Sequence, residues 1–420
     1  MRRPVYDLTQ PGWAIAISIT VLVLIGLAAI CASNTVPVGG RNVSSTVMAG
    51  KQAGVAIACI VLSAIILRIG YMRLARHAYL LFGIFLVLLL PMIIAKYLGF
   101  SFGGLVPESR GAYRSIRLPG FALQPSEFMK VSYILAMAWY LRFRKNYRTL
   151  DGLFVPILFS VIPMVLILFE PDLGTVLLFI PVLFGMLFVA GARIQHLGGI
   201  ILIGLVVAPF TFMKLHAYQK SRIMAVALQS KTFRDKIEEN PEKYAFTGVG
   251  KREAREWEVS TGMQLVRSKA ALGSGGFFGQ GWGKGTYVEY NFLPDRHNDF
   301  VFSIVGHQWG LLGCLVVLGC YVVIVVAGVE IASVTPEPCG RLLAMGVVCL
   351  IAAQTVINVG MTVGLMPITG MTLPFVSYGG SSLLTNFVAA SLLISVSQNR
   401  PFTLARKPFE WTDRGGHNQS

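Results

Sequence analysis

Charge is what this chain has least of. Lys, Arg, Asp and Glu make up only 13% of its 420 residues, against about a quarter in soluble globular proteins. That shortage excludes an ordinary cytosolic enzyme. No CxxC pair occurs, and the six cysteines (Cys31, Cys59, Cys314, Cys320, Cys339, Cys349) fall mostly in apolar runs. They read as small packing residues, not as a disulfide or metal framework. The phosphate-cradling pattern GxxxxGK[ST] is also missing, which removes P-loop chemistry.

What is present is apolar. Hydrophobic residues make up 54% of the chain and the mean hydropathy is +0.64. Ten runs approach the ~20 residues that cross a bilayer: 13–33, 52–67, 79–95, 127–141, 153–169, 173–190, 197–212, 300–327, 342–363 and 378–396. In lipid a backbone must satisfy itself, so these are helices. The prediction is an all-α polytopic membrane bundle of about ten helices, forming one domain over 1–420. The first run is longer than a signal-peptide core and reads as an uncleaved helix.

The net charge of +16 follows from cationic loops and does not point to nucleic acid. Arg2, Arg3, Arg68, Arg73, Arg76, Arg142, Arg144, Arg193, Arg341 and Arg400 fall on one side if the runs alternate. That side is the cytoplasm by the positive-inside bias. Both termini then lie inside, and 397–420 is a cytoplasmic tail. The opposite side carries a large loop, 213–299, and a shorter one, 96–126. Arg110, Arg114 and Arg117 in the shorter loop oppose the bias and point to an anionic ligand at the outer face. Within the large loop, GSGGFFGQGWGKGTY is rich in glycine, which implies tight turns or close backbone approach. The stretch from about 228 to 258 has the look of an insertion.

Three stretches place ionisable groups or irregular backbone at helix ends. LQPSEFMK sets Glu127 and Lys130 on one face of a first turn. FEPDLGT puts Glu170 and Asp172 between two spans with almost no loop, and Asp172 suits an N-cap. LMPITGMTLPFVSYGGSS breaks regular helix with Pro367, Gly370, Pro374, Gly379 and Gly380. Such backbone must be buried in protein or line a wet cavity. Ser377, Gly379 and Gly380 are its positioning candidates. A fourth stretch, LPDRHNDFVF, runs Asp295, Arg296, His297 and Asp299 into a span. His297 reads as a positioning or capping residue, since no His or Cys lies at ligand spacing nearby.

Taken in order, QPSEFMK, EPDLGT, GSGGFFGQGWGKGT, NFLPDRHNDFVF and LPITGMTLPFVSYGGSS resemble the SEDS family (shape, elongation, division and sporulation). The resemblance covers nearly the whole chain. It implies a membrane glycosyltransferase that polymerises lipid II into peptidoglycan strands beside a class B penicillin-binding protein, among the membrane proteins of the elongasome or divisome. GWGKGTYVEYNFLPDRH and MQLVRSKAALGSGG resemble the elongation type (RodA-like), and MTLPFVSYGG leans toward the division type (FtsW-like). The elongation type is favoured. A lipid-linked precursor flippase or other transporter, with ten helices and intramembrane charges, is the alternative class.

Residue by residue, Asp299 matches the family's essential aspartate, Glu127 and Lys130 its paired charges, and Arg114 its arginine. Ser115 stands where a tryptophan is usual, His307 and Gln308 replace an acidic pair, and Glu170 stands where glutamine is common. The implied chemistry needs a base for a sugar hydroxyl, assigned to Asp299. It also needs cations for a departing pyrophosphate. Lys130 and Arg114 supply them, with Glu127 orienting Lys130. Arg110, Arg117 or a divalent cation (Mg or Mn) are further sources, and no cofactor is otherwise called for.

Overall fold

The computed structural model describes residues 11–32, 35–38, 41–99, 104–108, 113–118, 121–144, 149–215, 217–259, 262–289 and 297–398. The chain begins with α1 (Pro11–Cys31), a hairpin of β1 (Thr35–Val38) and β2 (Arg41–Ser44), α2 (Ser45–Ile69), the short α3 (Tyr71–Arg76) and α4 (Ala78–Leu98). A second hairpin, β3 (Ile116–Leu118) and β4 (Phe121–Leu123), leads into α5 (Pro125–Leu141). The helices α6 (Leu150–Phe169), α7 (Leu173–Ala190) and α8 (Ile194–Lys214) follow. The long connection predicted over 213–299 is itself helical, with α9 (Ala217–Leu228), α10 (Lys231–Glu239), α11 (Lys251–Arg255), α12 (Met263–Ser274) and α13 (Thr286–Glu289). The last spans are α14 (Val301–Val334), α15 (Pro338–Val363) and α16 (Gly380–Gln398).

Nine of the described helices are long and apolar enough to cross a membrane. The tenth expected span is α5, with 17 residues. It carries Glu127 and Lys130 in its first two turns, and both side chains are buried in protein. A helix enclosed by neighbours need not be apolar all round. It packs on α4, α7, α15 and α16. By contrast α8 buries only Leu197, so its apolar surface faces outward, as suits a lipid-exposed helix. All six cysteines are free thiols, in keeping with their reading as packing residues.

The glycine-rich stretch has a definite task. Gly310 interrupts α14 with φ 63° and ψ −156°, a conformation open to glycine and costly for other residues. The break separates the N–H groups of Leu311 and Leu312 from the carbonyls of His307 and Gln308, their partners in an unbroken helix. All four groups are satisfied by the glycine-rich segment. The amides of Gln280 and Gly281 donate to the carbonyls of His307 and Gln308 at 2.9 and 3.1 Å. The amides of Leu311 and Leu312 donate to the carbonyls of Gly276 and Phe277 at 2.9 and 3.2 Å. So close an approach leaves no room for side chains. A Cβ on Gly279, whose φ is +85°, would fall 2.1 Å from the Gln308 carbonyl oxygen. Both sequence readings of this stretch, tight turns and close approach, hold. His307 and Gln308 sit beneath it, with the His307 ring bonded through Nδ1 to Ser274 Oγ at 2.7 Å.

Candidate active site

The starts of α5, α7, α14 and α16 and the end of α15 meet at one end of the bundle. The irregular segment 364–379 covers them. Asp299 stands two residues before α14, and three hydrogen bonds fix its backbone. Tyr378 N–H donates to the His297 carbonyl at 2.8 Å. Ser377 Oγ donates to the Asn298 carbonyl at 2.6 Å. Asn358 Nδ2, on α15, donates to the Asp299 carbonyl at 2.9 Å and to the Met371 carbonyl at 2.5 Å. Three consecutive carbonyls are thereby stitched to the irregular segment and to α15, which aims the Asp299 side chain. That carboxylate lies against Gly370: the position of a Cβ there is 3.4 Å from Asp299 Oδ2 and 3.5 Å from Arg222 Nη1.

The Oγ of Ser377, a positioning candidate of the sequence, also accepts from Leu373 N–H at 2.8 Å. Gln52 on α2 secures the next residues. Its Nε2 donates to the Ser377 carbonyl at 3.1 Å, and its Oε1 accepts from Gly379 N–H at 3.4 Å. Gly380 opens α16. His297 is buried, and its carbonyl is the one that Tyr378 N–H holds.

Lys130 and Glu127 form a second group. Lys130 Nζ lies 2.9 Å from Glu127 Oε1, and the two side chains are 2% and 10% exposed. Glu127 Oε2 has no protein partner among the described residues, so the pair keeps an open acceptor. Gln124, one residue before α5, ties this helix start to its neighbours. Its N–H donates to Ser381 Oγ on α16 at 3.1 Å, and its side-chain amide donates to Asp172 Oδ2 at 3.2 Å.

Asp172 caps α7, as the sequence suggested, accepting from Thr175 N–H at 3.2 Å and from Thr175 Oγ1 at 2.9 Å. Arg114 holds the same turn. Its Nε donates to the Glu170 carbonyl at 3.1 Å and its Nη2 to the Pro171 carbonyl at 2.5 Å. Two of its donors are therefore spent on protein, and its charge stays at the turn. Glu170 is 1% exposed and neither carboxyl oxygen has a partner among the described residues. Burial, reinforced by the charge of Asp172 and opposed by Arg114, pushes its carboxyl up to about 9. The glutamate thus stays protonated at neutral pH and presents the shape of the glutamine common in the family. This group adjoins the first one, because Gly174 on α7 packs against Met371 and the Thr369 carbonyl.

Arg117 is exposed on β3. Arg110, Asp295 and Arg296 lie outside the described residues, as does the tail from 399 onward. Among the described residues no three His, Cys, Asp or Glu side chains come together to hold a metal. The sequence reading missed Arg222, Asn358 and Gln52. Asn358 and Gln52 did carry a signal, being amide side chains inside apolar helices. Arg222 did not, since a cation in a long polar connection is unremarked until folding brings it to Gly370.

The sequence model of the FtsW/RodA/SpoVE family, described as "Cell cycle protein", matches residues 13–401. The chain is 33% identical over 403 residues to a probable peptidoglycan glycosyltransferase FtsW of Trichlorobacter lovleyi, covering 94% of this chain and 95% of the relative. It is 29% identical over 395 residues to peptidoglycan glycosyltransferase RodA of Treponema pallidum, covering 83% and 89%. Among solved structures it resembles a chain from work titled "Structural coordination of polymerization and crosslinking by a peptidoglycan synthase complex". The TM-score is 0.71 at 25% identity, over 94% of this chain and 98% of that one. The chain belongs to the FtsW/RodA/SpoVE family.

Proposed function

We propose that this protein is a peptidoglycan glycosyltransferase that polymerises lipid II at the outer face of the cytoplasmic membrane, with both termini inside. The observation that carries the reading is Asp299, a half-buried carboxylate at a helix start, with its backbone clamped by Ser377, Asn358 and Tyr378. A general base must be held within hydrogen-bond reach of the hydroxyl it serves. Such clamping provides that precision.

In this mechanism the acceptor's C4 hydroxyl attacks the donor's anomeric carbon while Asp299 takes its proton. The C–O bond to pyrophosphate breaks, and an α-linked donor becomes a β-1,4-linked strand with undecaprenyl pyrophosphate released. The leaving group is already acidic, so no second carboxylic acid is needed, unlike in glycoside hydrolysis. It needs positive charge instead. Lys130, held by Glu127, supplies this, together with the charge of Arg114 and the exposed Arg117. Arg110 belongs to the same proposal. His297, Ser377, Gly379 and Gly380 position the aspartate.

The names of the relatives support a division role, with a class B penicillin-binding protein as the crosslinking partner. Two experiments test the proposal. The purified protein with its partner should make polymer from labelled lipid II. An Asp299→Ala protein that folds, binds its partner and still polymerises normally would refute the assignment of the base. Rescue of cells depleted of their elongation-type enzyme, without rescue of division-type depletion, would overturn the division role.

A further inference from the structure

The glycine-rich segment that closes the break in α14 also turns three large aromatic side chains outward. Phe277, Phe278 and Trp282 are 54%, 75% and 57% exposed. The two phenylalanine rings meet edge to face, with centroids 4.9 Å apart. Trp282 commits its polar atom to the protein, since Nε1–H donates to the Ala28 carbonyl on α1 at 3.0 Å. Its ring stays outside. Contiguous exposed apolar surface of this kind marks an interaction site.

Two helices fix the depth of this segment. In α14, residues 311–329 carry no charge, and the exposed Glu330 follows them. Those 19 residues make about 29 Å of helix, close to the ~30 Å of a bilayer's hydrocarbon core. With Glu330 at one boundary, Gly310 stands at the other. The register of α1 gives the same height independently. Ala28 lies in its last turn, which ends at Cys31, and a Cβ on Gly283 would lie 3.4 Å from the Ala32 carbonyl oxygen. The apolar side chains bordering the segment are themselves exposed: Leu24, one turn before Ala28, and Leu311, Leu312 and Leu315 on α14. The three aromatics extend these lipid-facing strips.

We propose that residues 276–282 are an interfacial anchor, with Phe277, Phe278 and the Trp282 ring seated at the headgroup–acyl boundary of the lipid. In the orientation given above this is the outer leaflet. Tryptophan gathers at that boundary because it joins an apolar body to a polar handle, and phenylalanine inserts beside it. The backbone meets the other demand of a water-poor layer, that its polar groups be paired. The amides of Gly279, Gln280, Gly281 and Lys284 and the carbonyls of Gly275, Gly276, Phe277 and Gly281 are all bonded within the protein. The inference needs only the membrane-spanning fold and goes beyond the glycosyltransferase reading.

The test uses the full-length protein in phosphatidylcholine nanodiscs, with the lipid brominated near the top of its acyl chains, near their ends, or not at all. Bromine quenches indole emission on contact. Trp282 is read as the emission lost in Trp282→Phe. Phe278→Trp exchanges one exposed ring for another and reads a second position even if the first variant folds poorly. Both signals should lose most of their intensity to the shallow bromines and little to the deep ones, and acrylamide in the water should reach neither. Lys236→Trp, exposed on α10, should be quenched by acrylamide and not by bromine. Signals that acrylamide quenches and bromine does not would put the segment in water and overturn the inference. Signals shielded from both would reveal a protein cover, such as a second copy of the chain, and would overturn it too. Stronger quenching by the deep bromines would overturn the interfacial placement. Polymerisation enters none of these readouts. If Asp299→Ala polymerises normally while the shallow bromines still quench, the function proposed above fails and the anchor stands.

Discussion

Asp299 and Arg222 meet at Gly370, with Oδ2 of the one and Nη1 of the other 3.4 and 3.5 Å from the position of a Cβ there. The cation comes from α9 and the carboxylate from the start of α14, so the juxtaposition exists only in the fold. Arg222→Gln should therefore lower kcat with the melting temperature retained, and Arg222→Lys should largely restore it. Activity that falls only with the folded fraction would show that Arg222 acts only on structure.

Gly370 has φ +73°, a left-handed conformation that costs other residues about 1–2 kcal/mol. Gly370→Ala should lower stability by about that amount. Polymer yield should fall further than the lost folded fraction explains. Thermal melts and initial rates on the same preparation separate the two effects.

Asn358 and Ser377 hold the carbonyls of adjacent residues, Asp299 and Asn298. Asn358→Ala and Ser377→Ala should each reduce kcat more than they change KM, by as much as about 100-fold if the carboxylate shifts by an ångström. Because both act on one short strap, the double variant should lose less than the product of the single losses. Multiplicative losses would mean that the two clamps act independently.

Glu170 makes stability depend on pH. Its carboxyl rises from the ordinary 4.5 to about 9 on folding, so the folded state binds a proton that the unfolded state releases. Stability from this group is complete below pH 4.5 and declines as pH rises toward about 9. Glu170→Gln removes that dependence and should stabilise the protein at pH 7 by up to about 3 kcal/mol. It should have little effect at pH 4.5. Melting temperatures of both proteins across this range give the answer.

Gly279→Ala would drive a methyl group into the Gln308 carbonyl and dislodge the glycine-rich segment from the break in α14. The exposed backbone groups would lose their partners, at about 1–3 kcal/mol each. Hydrogen exchange should rise first at Leu311 and Leu312, whose amides bond only across this contact.

The spans were legible because lipid imposes one rule on every backbone. Eight of the ten apolar runs lie within about four residues of the helices that form, while α2 starts seven residues before its run and α14 ends seven after; α5 is recognised despite its ion pair. Glu127 with Lys130 was legible from three-residue spacing, and the Asp172 cap from its place before a helix. Burial was not legible. Nothing in EPDLG says that Glu170 will be enclosed without a partner, since that depends on which helices close over the turn. Sequence points to Arg114 as a cation for pyrophosphate but does not show that two of its donors also hold the Glu170 and Pro171 carbonyls. A loop arginine looks the same in sequence whether it faces solvent or a turn. Arg222 became visible only through its approach to Gly370, more than 50 residues away in the chain.

The exchange of bonds at Gly310 also has an order in time. Residues 276–281 leave the ribosome before residues 307–312 do, so the partners of the break already exist when α14 enters the membrane. That half of the helix waits for nothing downstream, and synthesis from the N-terminus suits its assembly. A circular permutant opened between 285 and 297 would reverse the sequence of events. It would form α14 before the partners of its four backbone groups exist, and unpaired backbone groups are costly once buried.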